Sequence, residues 1–263
     1  MNSDNPANTW SSYDSDEMCW WNASFPCVLG PGFLLPWQDA VLTAAEETGV
    51  LRVEAIEEIN YIRERDGSLA TFIRTHPELV PETDEWLPTG FILQQFDALP
   101  EEHTSTLLAY ADQRGQVAQT WVHEMHEFAA PLGLRSTYDY QPFSITHITL
   151  DADPPETGVV HTGFYLSTDI WLPWATADSH CNPADGDTEI LDNRTLGGIN
   201  GERLNTFLHR VRDAAIKLGG DWDVHPRTPI FRAQVNRDGI ILDGPRPGTP
   251  VEIHHRRPYQ AFI

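Results

Sequence analysis

The apolar positions of the chain fall on two periods. Leu204, Leu208, Val211, Ala215 and Leu218 form one stripe at helical spacing, entered at Asn200 and stopped by Gly219-Gly220, which predicts a helix over 200–218. A shorter helix is predicted over 36–48. Pro36 suits its first turn, Val41, Leu42 and Ala45 share a face, and Gly49 suits the position after the last turn. Leu107, Ala111, Ala118, Trp121, Met125 and Phe128, closed by Pro131 and Gly133, predict helix over 100–130, either broken near Gly115 or split in two.

Elsewhere β-branched and aromatic residues dominate. Residues 143–150 and 159–172 predict an antiparallel hairpin across a loop at 151–158. Asp66-Gly67, with Ile59, Tyr61 and Ile62 before it and Thr71, Phe72 and Ile73 after it, predicts a second hairpin. Val53, Ile56, Ile59 and Ile62 also fit a helical face there. Further strands are expected over 90–96, over 230–236 and 240–243 around the turn Arg237-Asp238-Gly239, and over 251–254. Trp20, Trp21 and Phe25, ahead of Gly30-Pro31-Gly32, read as a loop with aromatic anchors, and 173–198 as an acidic surface loop or lid. Helices and strands alternate without a βαβ rhythm, and no repeat is visible. The expected fold is α+β: a mostly antiparallel sheet packed with three or so helices, as a single domain over 19–263 behind a flexible acidic tail at 1–18.

The 263 residues suffice for a sizeable core, and no window approaches the ~20 apolar residues of a membrane span. Charge changes the picture more. The chain carries 39 acidic and 17 basic residues, a net charge of -22, which disfavours nucleic acid and anionic membranes as partners. The imbalance is uneven: residues 1–100 hold 17 acids and 4 bases, 101–200 hold 15 and 3, and 201–263 hold 7 and 10. The mildly basic end is expected to neutralise part of the acidic body. Met1 to Glu17 lacks the basic and apolar regions of a secretory signal, so a cytoplasmic location is expected. Cys19, Cys27 and Cys181 make a poor disulfide framework there and are expected as free thiols.

Eleven histidines make metal and acid–base chemistry worth testing. His123-Glu124-Met125-His126-Glu127 departs from HExxH, because Glu127 stands where the second histidine belongs. His123 with His126 or Glu127 can hold a divalent ion only with a ligand from elsewhere. His147 and His161 lie on the two arms of the 143–172 hairpin; with Leu150 opposite Val159 they come within a residue of each other across the ladder. Asp185-Gly186-Asp187-Thr188-Glu189 lacks the full calcium-loop spacing. Gly197-Gly198 before the 200–218 helix suits an anion site or a plain helix entry. Trp171 and Trp174 suit a core edge or a partner anchor, and Arg203, Arg210 and Lys217, spaced by sevens, suit internal docking to the acidic body.

No complete catalytic motif is present. The first expectation is therefore a cytoplasmic, non-catalytic interaction protein, of the immunity or charge-mimic type, with a basic protein partner. The alternative is a metal-dependent enzyme, a hydrolase or oxygenase, that draws its ligands from His123, His126, Glu127, His147 and His161.

Overall fold

The computed structural model describes residues 19–29, 31–56, 59–76, 104–112, 114–122, 143–150, 157–176, 190–226 and 229–248. The fold is α+β, with antiparallel strands in one four-stranded sheet and several two-stranded ones. Several expectations lie outside the described residues: the tail at 1–18, the strands at 90–96 and 251–254, the 123–130 end of the expected helix, and most of the acidic loop, 177–189.

The chain enters through β1 (Cys19–Pro26), an interior strand of the main sheet where an anchored loop was expected. Cys19, Trp21, Ala23 and Phe25 are buried, while Trp20, Asn22 and Ser24 alternate onto the other face. Helix α1 (Leu34–Thr48) follows as anticipated and ends on Gly49, whose φ of 70° meets the left-handed requirement of the cap.

The predicted hairpin at Asp66-Gly67 is displaced by one element. β2 (Arg52–Val53) leads into β3 (Ala55–Ile56), which pairs with β4 (Tyr61–Ile62), so the reversal lies before Tyr61. Asp66 instead closes the short helix α2 (Arg63–Asp66), and Ser68 caps α3 (Leu69–Thr75) by accepting the Thr71 N–H. The residues expected as a second arm, Thr71 to Ile73, are therefore helical; a serine cap outweighs their β-propensity.

The helix expected over 100–130 is corrected as far as residue 121. β5 (Thr104–Ser105) pairs with β2, and β6 (Leu107–Ala111) pairs with β7 (Val117–Trp121) as a hairpin. The turn carries the reason. Asp112 Oδ1 accepts the N–H groups of Arg114 and Gln116, and Gly115 sits at φ 74°, which a helix interior does not allow.

β8 (Phe143–Leu150) and β9 (Val159–Leu166) form the anticipated hairpin with Leu150 opposite Val159. Beyond Leu166 the expected strand gives way to a 3-10 turn at Asp169–Trp171, then β10 (Trp174–Thr176), which pairs with β11 (Ile190–Asp192). Helix α4 (Arg194–Lys217) starts six residues earlier than predicted, so Gly197 and Gly198 lie inside it and Asn200 does not cap it. Close approach explains one of these glycines and another further along. A Cβ on Gly197 would run into the Leu172 carbonyl, and one on Gly201 into that of Trp171.

An unanticipated strand, β12 (Asp221–Pro226), completes the main sheet in the order β12-β1-β9-β8. The segment expected as a strand from 230 begins instead with a helical turn, α5 (Pro229–Arg232). β13 (Val235–Asn236) and β14 (Gly239–Ile240) then turn at Arg237-Asp238 as expected. The margin of β12 is capped by side chains: Arg237 donates to the Trp222 carbonyl, and the Val224 N–H bonds to Asp223 Oδ1.

α1 and α4 lie on the inner face of this sheet. Phe164 of β9 meets Trp37 of α1 at 6.2 Å, Phe207 of α4 at 5.6 Å and Trp222 of β12 at 5.6 Å between ring centroids. Fully burying such side chains is worth roughly 1.5–3 kcal/mol each, with edge-to-face contacts adding to this. The indole N–H groups are satisfied: Trp21 donates to Asn236, Trp222 to Arg237 and Trp37 to Thr162 Oγ1.

Candidate functional site on the outer sheet face

His123, His126 and Glu127 lie outside the described residues. His147 and His161 do not form a pair. The register sets His147 opposite Thr162 and His161 opposite Ile148, so the two positions belong to opposite faces of the ladder. Among the described residues no three His, Cys, Asp or Glu side chains gather as a metal site.

The other expectations resolve structurally. Gly197 and Gly198 lie within a helix and leave no free N-terminus there for an anion. Trp171 is buried in the core, while Trp174 donates to the Gly244 carbonyl and packs under Arg194. In the basic row, Arg210 docks on Glu47 of α1 as anticipated, and Arg203 donates to Asn200 Oδ1 at 2.5 Å. The Nε and Nη1 groups of Arg203 are buried without an acceptor, and this desolvation pulls its pKa down to about 10. Cys19 is a free thiol whose burial pushes its pKa far up, so it is unreactive.

A polar grouping on the outward side of the main sheet lies where β1, β9 and β12 run together. Ser24 sits directly opposite His161 on one side and Asp221 on the other; Asn22 sits opposite Gly163 and Asp223. The serine hydroxyl is 2.9 Å from His161 Nδ1. The Asn22 amide nitrogen lies 2.8 Å from Ser24 Oγ and 3.0 Å from the same Nδ1. Because an amide nitrogen only donates, Nδ1 is the acceptor, the imidazole is neutral, and its proton resides on Nε2. Partial burial, and then the charge of nearby His225, hold the His161 pKa below the ordinary histidine value of 6.5.

An aromatic wall adjoins this cluster. Gly163 carries no side chain, and the Tyr165 ring lies over it in the space that a Cβ there would occupy. Trp20 stacks between Tyr165 and His225 at 5.7 and 5.0 Å, a ladder of rings across three strands that fixes the Tyr165 ring in place. The arrangement holds a hydroxyl, a neutral base and an amide donor within hydrogen-bond reach of one another.

Sequence reasoning singled out His161 but missed Ser24 and Asn22. The signal open to it was the alternation Trp20, Asn22, Ser24 against Cys19, Trp21, Ala23, which marks a strand with a polar face. Comparison with protein-family models, with curated proteins and with solved structures finds no match to the chain.

Proposed function

We infer that this chain is an acidic interaction protein that docks a basic protein partner in the cytoplasm, in the manner of an immunity protein or a charge mimic. The observation that carries this reading is how the basic residues are used. Arg63, Arg74, Arg210 and Arg212 pair within the chain, with Glu46, Asp39, Glu47 and both Asp213 and Asp238 respectively. Exposed carboxylates such as Glu64, Glu202, Asp221 and Asp243 are in no ion pair among the described residues. A net charge of -22, with these four cations already paired within the chain, projects a negative field outward, which accelerates encounter with a cationic surface.

Two further facts are compatible with this. No helix among the described residues is long and apolar enough to cross a membrane. His147 and His161, the two candidate ligands among the described residues, stand on opposite faces of the ladder.

The test is stopped-flow association with a folded basic protein, egg-white lysozyme, and with protamine. The expected on-rate is high at about 20 mM salt and falls at least tenfold by about 200 mM, as the screening length contracts. Absence of association with either probe at low salt overturns the reading.

A further inference from the structure

We propose that Ser24 is a nucleophile activated by His161, and that its substrate is a neutral carboxylic ester whose acyl group rests against the Tyr165 ring. This activity is separate from partner docking and does not depend on it.

Three observations carry the assignment. First, Ser24 Oγ and His161 Nδ1 stand 2.9 Å apart on directly paired positions of two interior strands, so the backbone register of the sheet holds the geometry. Second, Asn22 donates to Ser24 Oγ at 2.8 Å; a donor on that oxygen stabilises the negative charge that it gains when its proton leaves. Third, residue 163 is a glycine beside this pair and the Tyr165 ring lies over it, an apolar surface next to the hydroxyl against which a small acyl group can rest. The substrate charge follows from the neighbours. Asp221 lies opposite Ser24 and Asp223 opposite Asn22 on β12, so anionic phosphates and carboxylates are repelled while a neutral ester is admitted.

The chemistry balances without a co-reactant other than water. Ser24 Oγ forms a bond to the ester carbonyl carbon and its proton passes to His161 Nδ1. The bond from that carbon to the alcohol oxygen breaks, and the departing alkoxide takes the proton from Nδ1. Water then attacks the acyl-serine and gives its proton to Nδ1. The carbon–Oγ bond breaks, the proton returns to Ser24, and the carboxylic acid leaves.

The experiment uses the full chain and a neutral fluorophosphonate probe, with peptide mass spectrometry to locate the label and p-nitrophenyl acetate as a second readout. The expected result is one label per chain on Ser24, absent in Ser24→Ala and formed about a hundredfold more slowly in His161→Gln, which keeps a polar side chain but removes the base. Near-UV circular dichroism of both variants checks that the tryptophan core is intact. A readout that needs no variant is the wild-type labelling rate against pH, expected to rise as His161 loses its proton below 6.5 and to level off near neutrality. Labelling only at other residues, labelling of Ser24 that His161→Gln leaves unchanged, or a pH-independent rate each overturns the proposal.

Discussion

The side chain of Asn200 closes on the backbone of Ala109, accepting its N–H at 2.8 Å and donating to its carbonyl at 3.3 Å. Asn200 is fully buried in the middle of α4 and Ala109 in the middle of β6, 91 residues away. The amide thus acts as one more rung of sheet, and it fixes the β6–β7 hairpin against the long helix.

Asn200→Leu should therefore destabilise the protein by about 2–3 kcal/mol, since both backbone groups of Ala109 lose their partner in a buried setting. Urea unfolding measures this. A change below about 0.5 kcal/mol would mean that water replaces the amide without cost.

The two adjacent glycines of α4 should respond in opposite directions. Gly197→Ala drives a methyl group into the Leu172 carbonyl and should cost about 1–3 kcal/mol. Gly198→Ala meets nothing within 4 Å and should stabilise by about 0.5–1 kcal/mol through helix propensity alone. Thermal melts of the pair decide it, and equal shifts would contradict the packing described for Trp171 and Leu172.

Arg203 is predicted to cost stability where it stands. Two of its donors are buried without acceptors, so Arg203→Met, which keeps the aliphatic bulk, should raise stability by about 1 kcal/mol or more. A lower urea midpoint for the variant would show that the guanidinium has an acceptor in solution.

The His161 cluster makes stability depend on pH with a definite sign. The folded pKa lies below 6.5, so between those two values the unfolded chain binds the proton and the folded one does not. This contribution is complete above 6.5 and is lost as the pH falls towards the folded value. The difference in urea midpoint between wild type and His161→Gln should therefore shrink from pH 7.5 to pH 5. A difference that stays constant would remove the linkage.

The two long helices were legible in the amino-acid pattern because their information is local. The stripe from Leu204 to Ala215 and the stop at Gly219 lie within one segment, as do Val41, Ala45 and Gly49. Four features escaped for separable reasons. Trp20 is apolar on the outward side of β1 and hides the period of two. Residues 107–121 are rich in Leu, Ala and Gln, good helix formers, and the Asp112 turn and the distant Asn200 help to hold them extended. Gly197-Gly198 looks like a helix boundary until the carbonyls that press against that face of α4 are in place. The Ser24–His161 contact spans 137 residues and depends on strand register, which no local pattern encodes.

The capped margin of β12 has a consequence for how the molecule behaves in a crowd. An incoming strand would find the Trp222 carbonyl already held by Arg237 and the Val224 N–H already held by Asp223, with Asp221 adding charge repulsion. On this border the sheet is finished rather than interrupted. Molecules can meet side by side there at high concentration without templating a fibril, and any partner engaging that region must do so through side chains rather than by lending a strand.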